Sequence, residues 1–245
     1  NRDVPMSLVL PRISAPTTVD YTNLMSPVRN QGEEGTCVAF ASVVGIKEFQ
    51  EKEEHRRLIE LSPRYIYHLC KEVDGIPDQE GTYTRIAMKA LAEQGVCTEG
   101  CWPYQPYQSD KACPEADEQA RPFRIKTYAR LTEIDEMERS LSINGPFMAG
   151  IEVFSAWFED QQGKIPLPSP GESSLGGHAV CVVGYSREGS YFKFKNSWGV
   201  DWGDRGYGYL PYEYMIRHSL DAWSATDLLA NPDLVAQERG VNDKQ

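Results

Sequence analysis

The amino-acid sequence predicts an α+β fold, with helices in the first half of the chain and an antiparallel sheet in the second. Up to about residue 95, apolar residues recur at steps of three and four, as they do along the buried face of a helix. After about residue 145 they form short β-branched or aromatic runs between glycine-rich turns, which is typical of strands. We therefore expect a helical lobe at about 31–120 and a β-rich lobe at about 121–226.

Two flanking segments lack this patterning. Residues 1–30 contain several prolines and little periodicity, which predicts an extended arm that crosses the surface. Residues 227–245 follow the last predicted strand and predict a weakly held helix or a frayed C-terminal tail. We expect one domain, residues 1–226, followed by this tail.

The first predicted helix begins at Cys37, where a polar, glycine-containing loop changes into an apolar run. Apolar residues follow at steps of three and four, and the sequence becomes polar from about residue 50. We expect this helix to be buried at its start and exposed at its end.

Three further helices are indicated by their end signals. Ser62 followed by proline is the usual arrangement at a helix start. Thr82 is predicted to cap the next helix and Gly95 to end it. Thr132, followed three residues later by an acidic residue, predicts a helix that ends at the sequence NGP.

Four segments predict strands: 147–153, 178–185, 191–197 and 206–210. A proline-rich segment, 164–177, is predicted to be a loop that leads to His178. Alternation with a period of two places His178 on the face of Val180 and Val182. The same alternation places Asn196 on the face of the phenylalanines that precede it.

Composition excludes several classes of function. With 245 residues, the chain can bury an ordinary core without help from a metal or dense disulfides. A formal net charge of −11 argues against nucleic acid as a partner, because phosphate binding depends on clustered Lys and Arg. The apolar runs are far shorter than the ~20 residues of a membrane-spanning helix. We predict a monomer with no cofactor, no metal, no nucleic-acid partner and no membrane span.

Cys37 is the candidate nucleophile. Unpaired N–H groups and the helix dipole at a helix start stabilise a thiolate. An imidazole would complete the activation, and His178 is the candidate among four histidines because it opens an apolar strand after two glycines. The alternative is a core histidine bonded to backbone.

Two amides complete the candidate site. The side-chain oxygen of Asn196 is a suitable acceptor for an imidazole N–H, and Trp198 would shield that bond from water. Gln31 could donate its side-chain N–H into the same space as the Cys37 backbone N–H, and two such donors form an oxyanion hole. Taken alone, Gln31 would be an ordinary loop glutamine.

Three segments together resemble the papain family of cysteine peptidases: NQGEEGTCVAF, GGHAV and NSWGVDWGDRGYGYL. The interval from Cys37 to His178 is 178 − 37 = 141 positions, within the ~130–150 typical of that family. The resemblance implies a papain-like two-lobed fold with a helical left lobe, an antiparallel β-barrel-like right lobe and the active-site cleft between them. It implies that Cys37 is the nucleophile, His178 the acid and base, Asn196 its orienting residue and Gln31 the oxyanion donor.

The resemblance also bears on substrate binding. Gly81 is similar to a glycine that pairs with substrate backbone, and Trp202 to a tryptophan on the leaving-group side. Trp198 is a further candidate substrate-binding residue. Tyr83 and the glycines before His178, including Gly177, indicate a pocket for an apolar side chain. The partners implied are polypeptide substrates and an inhibitory prosegment or protein inhibitor.

The cysteines depart in part from the family pattern. The resemblance implies a disulfide between Cys70 and Cys113, whereas Cys97 and Cys101 could bridge locally or stay free. A zinc site built from these four is a weaker alternative. Family members usually carry a cysteine where Glu34 stands, so one familiar bridge cannot form. The six cysteines suit a secreted or an intracellular protein, and we favour a secreted or extracytoplasmic one.

The sequence therefore predicts a cysteine endopeptidase that acts through a thiolate–imidazolium pair and an acyl-enzyme. Two alternatives remain open. The same residues could transfer an acyl group to an amine instead of water, or the fold could serve as a non-catalytic binding module.

Overall fold

A computed structural model describes residues 15–108, 111–159 and 162–226. The predicted N-terminal arm is described from residue 15 onwards, and the predicted tail at 227–245 lies outside the described residues. Helices dominate the first half of the chain and strands the second, as the α+β prediction requires.

The helix that begins at Cys37 has three consecutive parts. They are α1, Cys37–Phe40; a π-helical segment, Ala41–Lys47; and α2, Glu48–His55. The predicted start is confirmed. The wider π-helical turns leave backbone groups without their usual i→i−4 partners, and the carbonyl oxygen of Val44 accepts a hydrogen bond from the hydroxyl of Ser26 at 3.0 Å.

The prediction that this helix is buried at its start and exposed at its end is confirmed except at Glu51, and charged residues are buried before the polar stretch as well. Lys47, Glu48 and Glu51 are all buried. Lys47 pairs with Glu51 one turn away. Glu48 accepts hydrogen bonds from Arg29 at 2.7 Å and from the backbone N–H of Leu61 at 2.9 Å. Burial is tolerated because each charge has a partner, which periodicity alone does not reveal.

The remaining helices are α3, Pro63–Lys71; α4, Thr84–Glu93; α5, Ala116–Ala120; α6, Ile134–Asn144; and α7, Tyr212–His218. Short 3₁₀ turns occupy Thr22–Leu24, Arg121–Phe123 and Ser155–Phe158.

Helix ends were predicted with mixed success. Ser62 caps α3 as expected, because its hydroxyl accepts the N–H of Tyr65 at 3.2 Å. The predicted cap Thr82 is wrong, since α4 begins after Tyr83. Thr132 does not cap α6 either; its hydroxyl donates to the carboxylate of Glu136 at 3.0 Å.

In the part of the chain that the structure describes, seven strands form one antiparallel sheet: β1, Thr18–Asp20; β2, Thr127–Arg130; β3, Phe147–Val153; β4, Gly176–Ser186; β5, Tyr191–Lys195; β6, Tyr207–Pro211; and β7, Ser219–Thr226. Their order is β2-β7-β3-β4-β5-β6, with β1 added along β4. Strands β3 to β6 match the predicted segments, whereas β1, β2 and β7 were not predicted.

The two faces of the sheet contribute to separate apolar cores. Ala179 and Cys181 of β4 pack with the helices of the first half, whereas Val180 and Val182 face the core that includes residues of α6 and α7. Gly45 lets the Cys37–His55 helix approach the sheet closely, because a Cβ there would lie 2.4 Å from the Cβ of Cys181. The helix that begins with Cys37 is thereby held directly against β4.

The predicted disulfide between Cys70 and Cys113 is wrong. Cys113 is bonded to Cys101, with Cα atoms 5.0 Å apart. A backbone hydrogen bond of 2.9 Å from Cys113 N–H to the Cys101 carbonyl brings these two together. Cys70 is free and fully buried in α3, and Cys97 is also free.

Within the described residues, no helix combines the length and the apolar character needed to cross a membrane.

Candidate active site

The sheet brings His178 and Asn196 together. Cys181 of β4 lies opposite Lys195 of β5, so the chain that leaves β5 runs beside the start of β4. The ring Nε2 of His178 lies 2.8 Å from the side-chain oxygen of Asn196. Because a carbonyl oxygen can only accept, Nε2 carries the proton and Nδ1 is left as the acceptor.

Aromatic rings cover this pair. The Trp198 ring stacks on the imidazole of His178 with centroids 4.6 Å apart, and Trp157 approaches edge-on at 6.0 Å. Burial lowers the pKa of His178 to about 4, although the hydrogen bond to Asn196 acts in the opposite direction. The imidazole on its own is therefore neutral near pH 7.

Cys37 lies at the start of α1 and is 9% exposed. Burial raises the pKa of its thiol, and this effect exceeds the opposing influence of the backbone amides of Ala179, Val38 and Cys37 itself. Ala179 directly follows His178, so the sulfur lies beside the start of β4. The helix start supplies the amides that the sequence predicted, but burial keeps an isolated sulfur protonated.

Gln31 connects the loop that precedes Cys37 to the chain that follows β5. Its side-chain oxygen accepts the hydroxyl of Ser197 at 2.6 Å, and its backbone N–H donates to the Ser197 carbonyl at 2.8 Å. Its side-chain Nε2 donates to the carbonyl of Glu34 at 2.9 Å. An amide nitrogen carries two hydrogens, so one remains for a further acceptor.

The predicted substrate-binding glycines lie beside these groups. A Cβ on Gly35 would lie 2.7 Å from the backbone nitrogen of Gly81, so the Gly81 segment packs against the loop that leads to Cys37. Gly177 is exposed at the start of β4, immediately before His178. Both positions leave backbone next to the candidate nucleophile and base.

The predicted aromatic residues differ in their surroundings. Trp202 contacts Trp198 edge-on at 5.4 Å and stacks with Trp157 at 6.1 Å, so it belongs to the cluster around the imidazole. Tyr83 is 54% exposed. It precedes Thr84, whose hydroxyl donates to Asp221 of β7, which places Tyr83 where the helices meet the sheet.

Sequence reasoning missed two residues of this site. Ser197 fixes the side chain of Gln31, and its position directly after Asn196 is the only signal that the sequence offers. Trp157 is fully buried beside His178, and its indole N–H donates to the hydroxyl of Tyr214 at 2.8 Å. It lies in a 3₁₀ turn, which has no strand or helix period to mark it.

One group of possible metal ligands lies outside this site. Among the described residues, Glu51, Glu54 and His55 place candidate ligand atoms within 4.8 Å of one another. This group lies on α2, and Glu51 is already paired with Lys47.

The chain is similar to known cysteine proteases. Residues 15–218 match the model of the papain family cysteine proteases. An uncharacterised peptidase C1-like protein of Acanthamoeba polyphaga mimivirus is 31% identical over 240 residues, which are 87% of this chain and 77% of that protein. Cathepsin K of Mus musculus is 28% identical over 226 residues, 89% of this chain and 65% of that protein.

Solved structures show the same fold. Xylellain, a cysteine protease from Xylella fastidiosa, has a TM-score of 0.80 and 28% identity, with 93% of this chain and 92% of that chain covered. Digestive procathepsin L 3 of Tenebrio molitor has a TM-score of 0.72 and 23% identity, with coverages of 92% and 76%. The predicted papain-like arrangement is therefore confirmed.

Proposed function

Because the chain belongs to the papain family of cysteine proteases, we propose that it cleaves peptide bonds inside polypeptides through an acyl-enzyme on Cys37. His178 is the acid and base, Asn196 orients it, and Gln31 donates to the oxyanion. The observation that carries the proposal is the hydrogen bond from His178 Nε2–H to Asn196, since it leaves Nδ1 free as a base.

The reaction begins with a proton transfer. The Cys37 thiol gives its proton to Nδ1 of His178, and the thiolate attacks the carbonyl carbon of the substrate. The new oxyanion accepts hydrogen bonds from the remaining N–H of the Gln31 side chain and from the Cys37 backbone. The imidazolium then returns the proton to the departing amine, and water, deprotonated by the same imidazole, hydrolyses the thioester.

Burial requires the two charges to form together. It raises the pKa of Cys37 and lowers that of His178, so neither a lone thiolate nor a lone imidazolium is favoured. A thiolate and an imidazolium in contact offset part of the desolvation of each other. The pair therefore titrates as a unit, and its active state is the one that holds a single proton between sulfur and nitrogen.

We favour cleavage within chains because the sequence offers no evident histidine-bearing loop that would bind a chain-end carboxylate in the cleft. A chain-end carboxylate needs a fixed positive partner in the cleft. His55 and His68 lie near Glu51 and Glu72 one turn away on their own helices, and the ring of His218 lies 3.1 Å from the carboxylate of Glu152. These groups are engaged elsewhere.

The test compares Cys37→Ala with Cys70→Ala, a matched control because Cys70 is also a buried free cysteine. We expect Cys37→Ala to lower kcat/KM on a denatured protein substrate by about 10⁴-fold or more, since the nucleophile is removed. Cys70→Ala should retain activity, and both should keep the circular dichroism spectrum of the parent. Peptidase activity that survives in Cys37→Ala contradicts the assignment.

Product analysis tests the finer points. Mass spectrometry should show internal cleavage, whereas stepwise loss of terminal residues would indicate an exopeptidase. Added amine should not divert the acyl group; formation of amide products would favour acyl transfer, the alternative chemistry for the same residues. Inhibition by a prosegment or protein inhibitor stays a prediction, although one structural relative is a procathepsin.

A further inference from the structure

We propose that the buried ion pair between Glu34 and Arg64 is a positioning element that holds Gln31 in place as the oxyanion donor. The inference rests on the proposed function, because it assigns a task within that reaction. Neither residue touches the substrate in this scheme; both act through Gln31.

The pair is bidentate and almost completely enclosed. Arg64 Nη1 donates to Glu34 Oε1 at 2.8 Å, and Nη2 donates to Oε2 at 2.5 Å. Each residue is only 6% exposed. Two parallel hydrogen bonds between planar groups fix orientation as well as distance. Arg64 lies in the first turn of α3, so the carboxylate is anchored to a rigid helix.

Further bonds tie the pair to a second segment. Arg64 Nη2 also donates to the carbonyl of Gln105 at 2.6 Å, and the backbone N–H of Tyr107 donates to Glu34 at 2.9 Å. The Arg64 guanidinium lies 4.9 Å from the ring centroid of Tyr104. Together these contacts hold the pKa of Glu34 below its ordinary value, with Arg64 the largest of the lowering influences against burial.

The backbone of Glu34 carries this anchoring to the reaction site. Its carbonyl oxygen accepts the side-chain N–H of Gln31 at 2.9 Å and the backbone N–H of Thr36 at 2.7 Å. Thr36 is the residue before Cys37. The hydroxyl of Tyr104 donates to the Gln31 carbonyl at 2.7 Å. The ion pair thus fixes a carbonyl that orients the side chain of Gln31, the oxyanion donor.

Energetics favour a positioning task over a purely stabilising one. Desolvation offsets much of the attraction within a buried ion pair, so such a pair is weak evidence for stability. A displacement of about 1 Å at a reacting group can cost about 100-fold in rate. The structure therefore predicts that loosening the pair affects turnover more than substrate binding.

The main test is Glu34→Gln, which keeps the size of the side chain and removes its charge. We expect kcat to fall about 10- to 100-fold, approaching the loss of an oxyanion donor, while KM changes less than about threefold. The control is Glu138→Gln, which weakens the distant pair in which Glu138 accepts from Arg187 at 2.6 Å. That variant should leave kcat unchanged.

A double-mutant cycle separates positioning from general destabilisation. In a Gln31→Ala background, Glu34→Gln should cause little further loss of kcat, because the donor that it positions is already absent. The rate of Cys37 alkylation by iodoacetamide should stay within about threefold of the parent in Glu34→Gln. Full additivity of the two losses, or a lower melting temperature with unchanged kcat, would overturn the proposal.

Two further measurements keep the outcome decisive. If Glu34→Gln does not fold, the test uses Arg64→Lys, which keeps the positive charge but cannot form the two parallel hydrogen bonds. The same lowering of kcat with little change in KM is expected. Hydrogen exchange of the amides at residues 31–36 is measured in all variants, and faster exchange in Glu34→Gln than in Glu138→Gln is expected. If the parent cleaves no peptide, the proposed function fails by itself. Unchanged hydrogen exchange at residues 31–36 in Glu34→Gln would independently refute the positioning role of the Glu34–Arg64 pair.

Discussion

The helical part and the sheet hold the residues of the proposed active site by different means. His178 and Asn196 are held by backbone pairing between β4 and β5 and by stacked aromatic rings. Cys37 and Gln31 are held by a loop whose anchors are side chains, chiefly the Glu34–Arg64 pair.

The contrast shows where each half is vulnerable. A ladder of backbone hydrogen bonds does not depend on which side chains it carries, so a substitution on the sheet side should leave the strands in place and act only through the side-chain contact that is lost. When a loop is anchored by side chains, the loss of one anchor displaces the group that this anchor holds, which here is the side chain of Gln31. The predictions below probe this difference.

The largest effect is expected in the sheet from Asn196→Ala. Without its carbonyl acceptor, the imidazole of His178 loses its fixed tautomer and orientation, and kcat/KM should fall about 10²- to 10³-fold. Cys37 alkylation should slow as well, because the base is affected. Asn144→Ala, which removes an amide bonded to Ser224 at 3.2 Å, is the control and should stay active. Equal effects of the two substitutions would contradict the orienting task.

A smaller effect is expected on the loop side from Ser197→Ala. The side-chain oxygen of Gln31 loses its 2.6 Å hydrogen bond, so the donor becomes less well placed and kcat should fall about 10-fold. Cys37 alkylation should not change, in contrast to Asn196→Ala. The control is Ser140→Ala, because Ser140 is buried and bonded to Ser224 at 2.7 Å. A slower alkylation in Ser197→Ala would show that the two halves are not separable.

The smallest effect concerns the acid limb of the pH profile. His178 has a pKa of about 4, so lowering the pH through that value protonates Nδ1 and removes the acceptor for the thiol proton. Activity should therefore persist from neutral pH down to about 5 and fall with an apparent pKa near 4. Asn196→Ala should move this limb to lower pH, because the hydrogen bond to Asn196 raises the pKa of His178. An acid limb near 6.5 in the parent, the ordinary histidine value, would contradict the burial that the structure shows.

The sequence predicted secondary structure correctly where the periodicity of apolar residues or a signal at the end of an element specifies it. The start of the first helix at Cys37, the Ser62 cap and strands β3 to β6 are local features of this kind. The pairing of His178 with Asn196 followed from the alternation of two strands and from the chemistry of an amide acceptor.

Prediction from the sequence was unsuccessful where tertiary contacts decide. Lys47 and Glu51 are buried because they meet each other on one helix face, although both look like surface residues in the sequence. A backbone hydrogen bond brings Cys113 close to Cys101, and the spacing of the cysteines in the sequence does not predict that bond. The Glu34–Arg64 pair joins residues 30 positions apart, and no local signal connects them.

The proposed enzyme needs a reduced Cys37 and also an intact anchor for the loop that precedes it. The Glu34–Arg64 pair meets the second need without a disulfide. A thiol reductant that keeps Cys37 free of oxidation can also reduce a disulfide such as the Cys101–Cys113 bridge. The Glu34–Arg64 ion pair contains no bond that a thiol reductant can break. The pair itself should therefore survive a thiol reductant, whereas its contacts with Gln105 and Tyr107 lie in the segment that the Cys101–Cys113 disulfide closes.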